Sequence, residues 1–279
     1  MHSPIPIERF DVFATGLDHP ECLAFDRDGF LWAGGEAGQV YRNDRAGKVE
    51  TIANLGGFTG GIAFSPDDEL CVCNPSLGIV HVGRDGSHEV FATHAGEHKL
   101  HTPNFPVFDR QGNLYVTDSG PWKKQQGYLA RFTPDGIGRI IGGPFGYANG
   151  LALTGDENHL FMAETDSRRV YRFALSDHGS LASEEVFAEN VGRMPDGLAL
   201  DESGVLYVAC FASDDLYRIA SPHDTPIRLA HDPDAILLSR PTNIAFDGEW
   251  MYVANLGRTT ITRTKVDVRG LPLANRQEP

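Results

Sequence analysis

The sequence predicts an all-β fold, a six-bladed β-propeller with four antiparallel strands in each blade, and three observations predict it. Six segments share one pattern: ECLAFDRDGFLWAGG from Glu21, GGIAFSPDDELCVCN from Gly60, NFPVFDRQGNLYVTD from Asn104, NGLALTGDENHLFMAET from Asn149, DGLALDESGVLYVAC from Asp196 and TNIAFDGEWMYVAN from Thr242. Their apolar anchors Phe25, Phe64, Phe108, Leu153, Leu200 and Phe246 stand 39 to 47 residues apart, a regular period that marks a repeat architecture. Each interval holds four short apolar runs broken by polar turns and no convincing amphipathic helix, which is the pattern of a propeller blade. Glycine supplies 31 of 279 residues, above the roughly 7% of an average chain, as many tight turns require.

The elements follow in order within each unit. The anchor lies on a first strand, and a turn such as RDG, RQGN or ESG returns the chain as a second strand, forming a hairpin. A third run follows: QVYRND, IVHVGRDG, YLARFTPDG, RVYRFAL, DLYRIAS and TITRTKVD. The fourth reads KVETIANL, HEVFATH, GRIIGG, EEVFAEN and PIRLAHD, and the sixth unit has none before the tail LPLANRQEP. The missing strand is at the other end of the chain. FDVFATGL (10–17) resembles EVFATHA (89–95) and EVFAENV (185–191), so the N-terminal strand is expected to complete blade six and close the ring. Closure removes the free sheet edges that invite aggregation. No linker or low-complexity segment interrupts the pattern, and residues 1–279 read as one propeller domain.

Composition narrows the function. With 41% hydrophobic and 22% charged residues the chain is globular, and a net charge of −14 argues against nucleic-acid or anionic-membrane surfaces. The opening MHSPIPIERF carries no apolar core of signal-peptide length and no run of 18 apolar residues occurs, so a cytoplasmic location is expected. Four cysteines do not make a disulfide framework; they are expected to be buried as small apolar residues.

The chemistry concentrates at one position of the repeat. Four residues before each anchor stand Glu21, Gly60, Asn104, Asn149, Asp196 and Thr242. The first strand of a propeller blade lines the central channel, so equivalent positions form a ring around the axis. Taken singly, Asn149–Gly150 and Asp196–Gly197 read as turn dipeptides, and Glu21 reads as a solvated side chain. Taken together, four oxygen-bearing side chains around one axis cost several kcal/mol each unless something partners them. A cation does so. Two carboxylates balance its charge, two carboxamide oxygens add neutral ligands, and the absence of His and Cys selects a hard ion. Ca2+ suits an irregular oxygen set best, with Mg2+, Mn2+ or Zn2+ as other divalent occupants.

These segments resemble the senescence-marker-protein/gluconolactonase-like family over the whole chain. HPECLAFDRDGFLWAG is similar to that family's first metal-binding segment, YANGLALTGDENHLFMAET to its Asn-bearing segment and MPDGLALDESGVLYVA to its Asp-bearing segment. The resemblance implies a six-bladed propeller with a divalent metal in the channel that hydrolyses lactones or related esters. It implies metal-ligand roles for Glu21, Asn149 and Asp196, and a substrate- or metal-contacting role for Asn104. Calcium-dependent organophosphate hydrolases share the architecture and a Glu/Asn/Asn/Asp site, which this chain also matches. One departure stands out: sugar-lactonase members often carry Arg two residues before the Asn of the third blade, where this chain has Thr102.

Three functional classes follow: a Ca2+-dependent lactonase or esterase, a phosphotriester hydrolase on the same site, and a non-enzymatic binding propeller. The last has no need of carboxylates on the axis, and no feature indicates an obligate protein partner. No G-x-S-x-G elbow, P-loop or dinucleotide fingerprint occurs, so the expected partner is a small lactone or ester attacked by water. Asp196 is the candidate nucleophile or general base beyond its ligand role. His101 and Thr102 at the channel mouth, and Trp122 in the long loop SGPWKKQQG (119–127), are candidate substrate contacts beside Asn104. Asn74, Asp118, Glu164 and Asn255, at the ends of second strands, either orient ligands or cap strands. Phe58, Phe105, Phe145, Tyr147 and Phe211 are either pocket walls or ordinary core.

Overall fold

A computed structural model describes residues 3–176 and 178–276 and arranges them as six four-stranded antiparallel sheets. Blade one runs Leu23–Phe25, Leu31–Gly34, Gln39–Asn43 and Val49–Asn54, and blades two to five repeat that order outward from the axis. Blade six takes Pro241–Asp247, Trp250–Asn255 and Thr260–Lys265 from the end of the chain and its outermost strand, Asp11–Thr15, from the beginning. The closing strand pairs Asp11 with Arg263 and Thr15 with Thr260, and buries Phe10, Ala14 and Leu17 beside it. Ring closure by the N-terminal strand is therefore as the sequence predicts.

The strand sequences follow from their distance to the axis. First and second strands such as Leu23–Phe25, Ile62–Phe64 and Leu70–Asn74 are buried at every position and read as small or apolar runs, with Asn74 the polar residue that ends the last of them. Fourth strands such as Val49–Asn54 and His88–Ala92 are largely open to solvent and carry polar residues. Between neighbouring sheets the apolar faces form separate clusters; Trp32 meets Phe64 edge-on at 5.8 Å in one, and Phe161 meets Phe187 at 4.8 Å in another. All four cysteines are free and buried. Among the described residues helix is confined to two single 3-10 turns, Ile7–Arg9 and Ala274–Arg276, and none is long and apolar enough to cross a membrane.

Two features have no forerunner in the repeat. A two-residue hairpin, His94–Ala95 with His98–Lys99, precedes blade three. The C-terminal tail crosses one end of the channel: Gly270 bridges to Asp201, Leu271 N–H donates to Leu200 O at 2.9 Å, and Asn275 Nδ2 donates to Phe25 O at 3.0 Å. Beneath it the six anchors Phe25, Phe64, Phe108, Leu153, Leu200 and Phe246 line a cavity of about 270 Å3. The anchor positions thus build an apolar floor, and the opposite end of the same channel is polar.

Candidate metal centre and substrate pocket

Each residue of the predicted ring lies at the upstream end of a first strand: Glu21 just ahead of Leu23–Phe25, Asn104 within Pro103–Phe108, Asn149 within Ala148–Leu153 and Asp196 within Pro195–Leu200. Asn149–Gly150 and Asp196–Gly197 are strand residues and not turns. In blades three to six the first strand carries one residue more than its partner at this point, between Pro103 and Pro106, Ala148 and Leu151, Pro195 and Leu198, and Pro241 and Asn243. Such a bulge frees the ring residue from the ladder and turns its side chain toward the axis. The glycines that follow let neighbouring first strands touch. A Cβ on Gly150 would run into the Asp196 carbonyl, and one on Gly197 into the carbonyl of Thr242.

The ring positions meet in one pocket of about 260 Å3 whose lining includes Glu21, Gly60, Asn104, Asn149 and Asp196. Thr242, the sixth, is buried and donates its hydroxyl to the Glu21 carbonyl at 2.6 Å, joining blade six to blade one. The carboxamides are held by their nitrogens. Asn104 Nδ2 donates to Ser119 Oγ at 2.9 Å, and Asn149 Nδ2 to Thr165 Oγ1 at 3.2 Å. Ser119 and Thr165 pass their own protons to the carbonyls of Ala148 and Pro195. The amide oxygens are thereby left for the channel. Sequence reasoning missed Ser119 and Thr165; they were visible as the residues directly after Asp118 and Glu164, one repeat apart, both with hydroxyls.

Electrostatics mark the centre. Burial pushes the Glu21 carboxyl well above the usual carboxylate range, and the Asp196 charge adds to the shift. Burial raises Asp196 likewise, against a hydrogen bond from Asn149. Burial, then the charges of Asp196 and Glu21, pushes the Tyr147 phenol up to about 12. Glu21 Oε2 and Asn149 Oδ1 are buried without a hydrogen-bond partner among the described residues, a cost of order 1–3 kcal/mol for a neutral group and more for a charged one. Two crowded carboxylates, orphaned oxygens and no cationic side chain among the lining residues fit a divalent cation. A second cluster differs: Asp18, His19 and Glu36 lie within 4.8 Å of one another near the same rim, but Asp18 already accepts from Gln39 and Ala37, and Glu36 pairs with His19.

The remaining predicted residues divide. Thr102 and Trp122 line the pocket; His101 is exposed outside the lining, its ring bonded to Thr102 Oγ1 at 2.9 Å. Asn74, Asp118, Glu164 and Asn255 are buried and cap backbone. Asp118, for example, accepts from the N–H groups of His101 and Thr102 and from His98 Nε2 at 2.8 Å, fixing the loop that presents Thr102. Among the aromatics Phe58, Tyr147 and Phe211 line the pocket. Phe105 faces the opposite cavity and Phe145 packs against Phe173 between blades, so these two are core.

Comparison with known proteins identifies the family and the fold. Residues 19–257 match the SMP-30/gluconolactonase/LRE-like family. Protein STRICTOSIDINE SYNTHASE-LIKE 6 of Arabidopsis thaliana is 28% identical over 234 residues, 74% of this chain and 61% of that protein. The 6-deoxy-6-sulfogluconolactonase of Pseudomonas putida is 24% identical over 157 residues, 55% of this chain and 52% of that one. The chain thus spans about three-fifths or less of the curated relatives' length. The calcium-binding protein regucalcin from Agrobacterium tumefaciens superposes with a TM-score of 0.79 at 16% identity, covering 100% of both chains. The chain belongs to the SMP-30/gluconolactonase/LRE-like family.

Proposed function

From that membership we propose that the protein is a divalent-metal-dependent hydrolase, with Ca2+ the preferred ion, that opens a lactone or related ester. The observation that carries this is the pair of buried carboxyls, Glu21 and Asp196, both raised by burial, beside the orphaned Asn149 oxygen at the open end of the channel. Glu21, Asn104, Asn149 and Asp196 would hold the ion; when bound, it supplies Lewis-acid polarisation of an ester carbonyl.

The chain's own groups do the rest. Asp196 is the candidate general base: its carboxylate would take a proton from the attacking water and return it to the departing ring oxygen. Lactone and water thereby give one hydroxy acid. Thr102 and Trp122 bound the substrate's entry, and His101 holds the Thr102 hydroxyl from outside. The names of the sulfogluconolactonase relative and of the calcium-binding structural neighbour support this reading.

A hydrolysis screen over aldonolactones, aliphatic lactones, aryl esters and a phosphotriester, with and without Ca2+, tests it. Lactone or ester turnover that EDTA abolishes and Ca2+ restores is expected. Turnover indifferent to EDTA, or of the phosphotriester alone, contradicts it.

A further inference from the structure

Above the oxygen ring the pocket changes character. Phe58, Trp122, Tyr147, Met194, Phe211 and Leu256 supply its walls, and no Lys, Arg or His lines it among the described residues. Two nearby cations lie over aromatic rings: Lys123 Nζ stands 5.9 Å from the Trp122 ring centroid and Arg240 Cζ 5.5 Å from that of Phe211, and neither residue is in the lining. The wall hydroxyls are three, the Tyr147 phenol and two threonines that are already engaged. Thr102 Oγ1 is bonded to His101, and Thr165 Oγ1 both accepts from Asn149 and donates to Pro195.

A sugar lactone carries a hydroxyl on nearly every ring carbon. Against these walls most of those hydroxyls would lose their water, since above the ring oxygens the wall side chains offer little beyond the Tyr147 phenol and the Trp122 indole N–H as fresh polar partners, and recognition of such a ligand needs donors and acceptors placed around the ring. An aryl or alkyl substituent has the opposite requirement. Trp122 is 43% exposed and lies edge-on to Tyr147, centroids 4.8 Å apart and planes at 80°, so the pair forms an aromatic corner over the pocket whose exposed face an apolar group would cover. Thr102 at the mouth adds a methyl group and no charge.

Resting on the hydrolase reading above, we propose that the substrate is an uncharged lactone or ester bearing an aryl or alkyl substituent, held against the Trp122–Tyr147 corner, and not a polyhydroxylated sugar lactone. The bond broken is the ring acyl–oxygen bond, with water as the other reactant, as before.

A matched pair of six-membered lactones tests this: 5-phenyl-δ-valerolactone against glucono-δ-lactone, each kcat/KM divided by that compound's spontaneous rate. The phenyl lactone is expected to lead by about 100-fold or more, and Trp122→Ala to cut that lead about tenfold, chiefly through KM. Trp122 is on an exposed loop, so the variant should fold. Calorimetric binding of the corresponding inert lactams reads the pocket without turnover. Tighter binding of the phenyl lactam with no hydrolysis of either lactone would uphold the substrate class and sink the hydrolase reading. Equal or better handling of the glucono compounds in both assays, or failure of the phenyl lactam to bind, would overturn the substrate class.

Discussion

The two ends of the channel enclose cavities of nearly equal volume, about 260 and 270 Å3, built from residues four positions apart on the same strands. At the downstream end the six anchors are Phe or Leu, and the C-terminal tail crosses beneath them. At the upstream end the same six strands present Glu21, Gly60, Asn104, Asn149, Asp196 and Thr242, and the end is open. One position is repeated because every blade needs the same packing. The other is varied because each blade contributes a different part of one site, with charge at Glu21 and Asp196, neutral oxygens at Asn104 and Asn149, and closure at Thr242. A repeat therefore separates stability from chemistry by register.

The most severe way to break this arrangement opens the ring that carries both ends. Deleting residues 1–17 takes away the outer strand of blade six with buried Phe10, Ala14 and Leu17. At about 1.5–3 kcal/mol for each large buried side chain, loss of roughly 5 kcal/mol or more is expected. Aggregation on expression, or a melting temperature lower by more than about ten degrees, is the outcome; a soluble variant of unchanged stability would refute closure.

A pair of point variants then pulls the two ends apart. Asp196→Asn at saturating Ca2+ should lower kcat by about 10²–10⁴-fold while the fold remains, since an amide cannot accept the proton. Phe64→Ala in the floor should cost about 3–5 kcal/mol in denaturant unfolding, with kcat per folded molecule near wild type. Reversal of these signatures would erase the division between floor and ring.

How much of this was legible beforehand depends on what the repeat encodes. The anchors were legible because Phe25 through Phe246 recur on a fixed period, and the ring because it keeps a constant offset from them. Blade closure was legible because FDVFATGL copies two other fourth strands. The bulges between Ala148 and Leu151 and between Pro195 and Leu198 were not, because an extra residue shows only against its partner strand. Nor was the tail from Gly270 to Asn275, which follows no periodicity and is fixed by contacts to Leu200 and Phe25. The aromatics could not be sorted by sequence distance alone. Tyr147 reaches the pocket from a left-handed backbone, φ 63°, whereas Phe145 two residues earlier turns into the core.

Smaller effects sharpen the polar end. Thr165→Ala releases the Asn149 amide nitrogen, and loss of such an orienting bond should weaken Ca2+ binding by about 10-fold, with a stability loss of about 1–3 kcal/mol as the Pro195 carbonyl also loses its donor. Unchanged affinity would free Asn149 from that tether. The pH dependence of the ion-free protein is subtler. Because burial raises the Glu21 and Asp196 carboxyls, the fold binds their protons more tightly than the unfolded chain does. Their contribution to stability is therefore present near the ordinary carboxylate pKa of about 4 and lost as pH rises through the raised values. Ion-free wild type should lose melting temperature relative to Glu21→Gln as pH rises above the ordinary carboxylate range, and Ca2+ should remove the difference in slope. Parallel pH profiles without Ca2+ would contradict the crowding of these carboxyls.

The most direct test of the metal ring is a calorimetric titration of the ion-free protein with Ca2+, run on wild type and on Glu21→Gln. A ring that holds one ion predicts a single site in wild type, about 2.7 kcal/mol of added stability at 100-fold over its dissociation constant, and hydrolysis that rises with the same occupancy. In Glu21→Gln, where the orphaned Oε2 carboxylate oxygen gives way to an amide, the site should weaken by about 100-fold or more while the ion-free fold melts no lower. No binding heat in wild type, or equal affinity in the two proteins, would show that the carboxylates on the axis hold no ion.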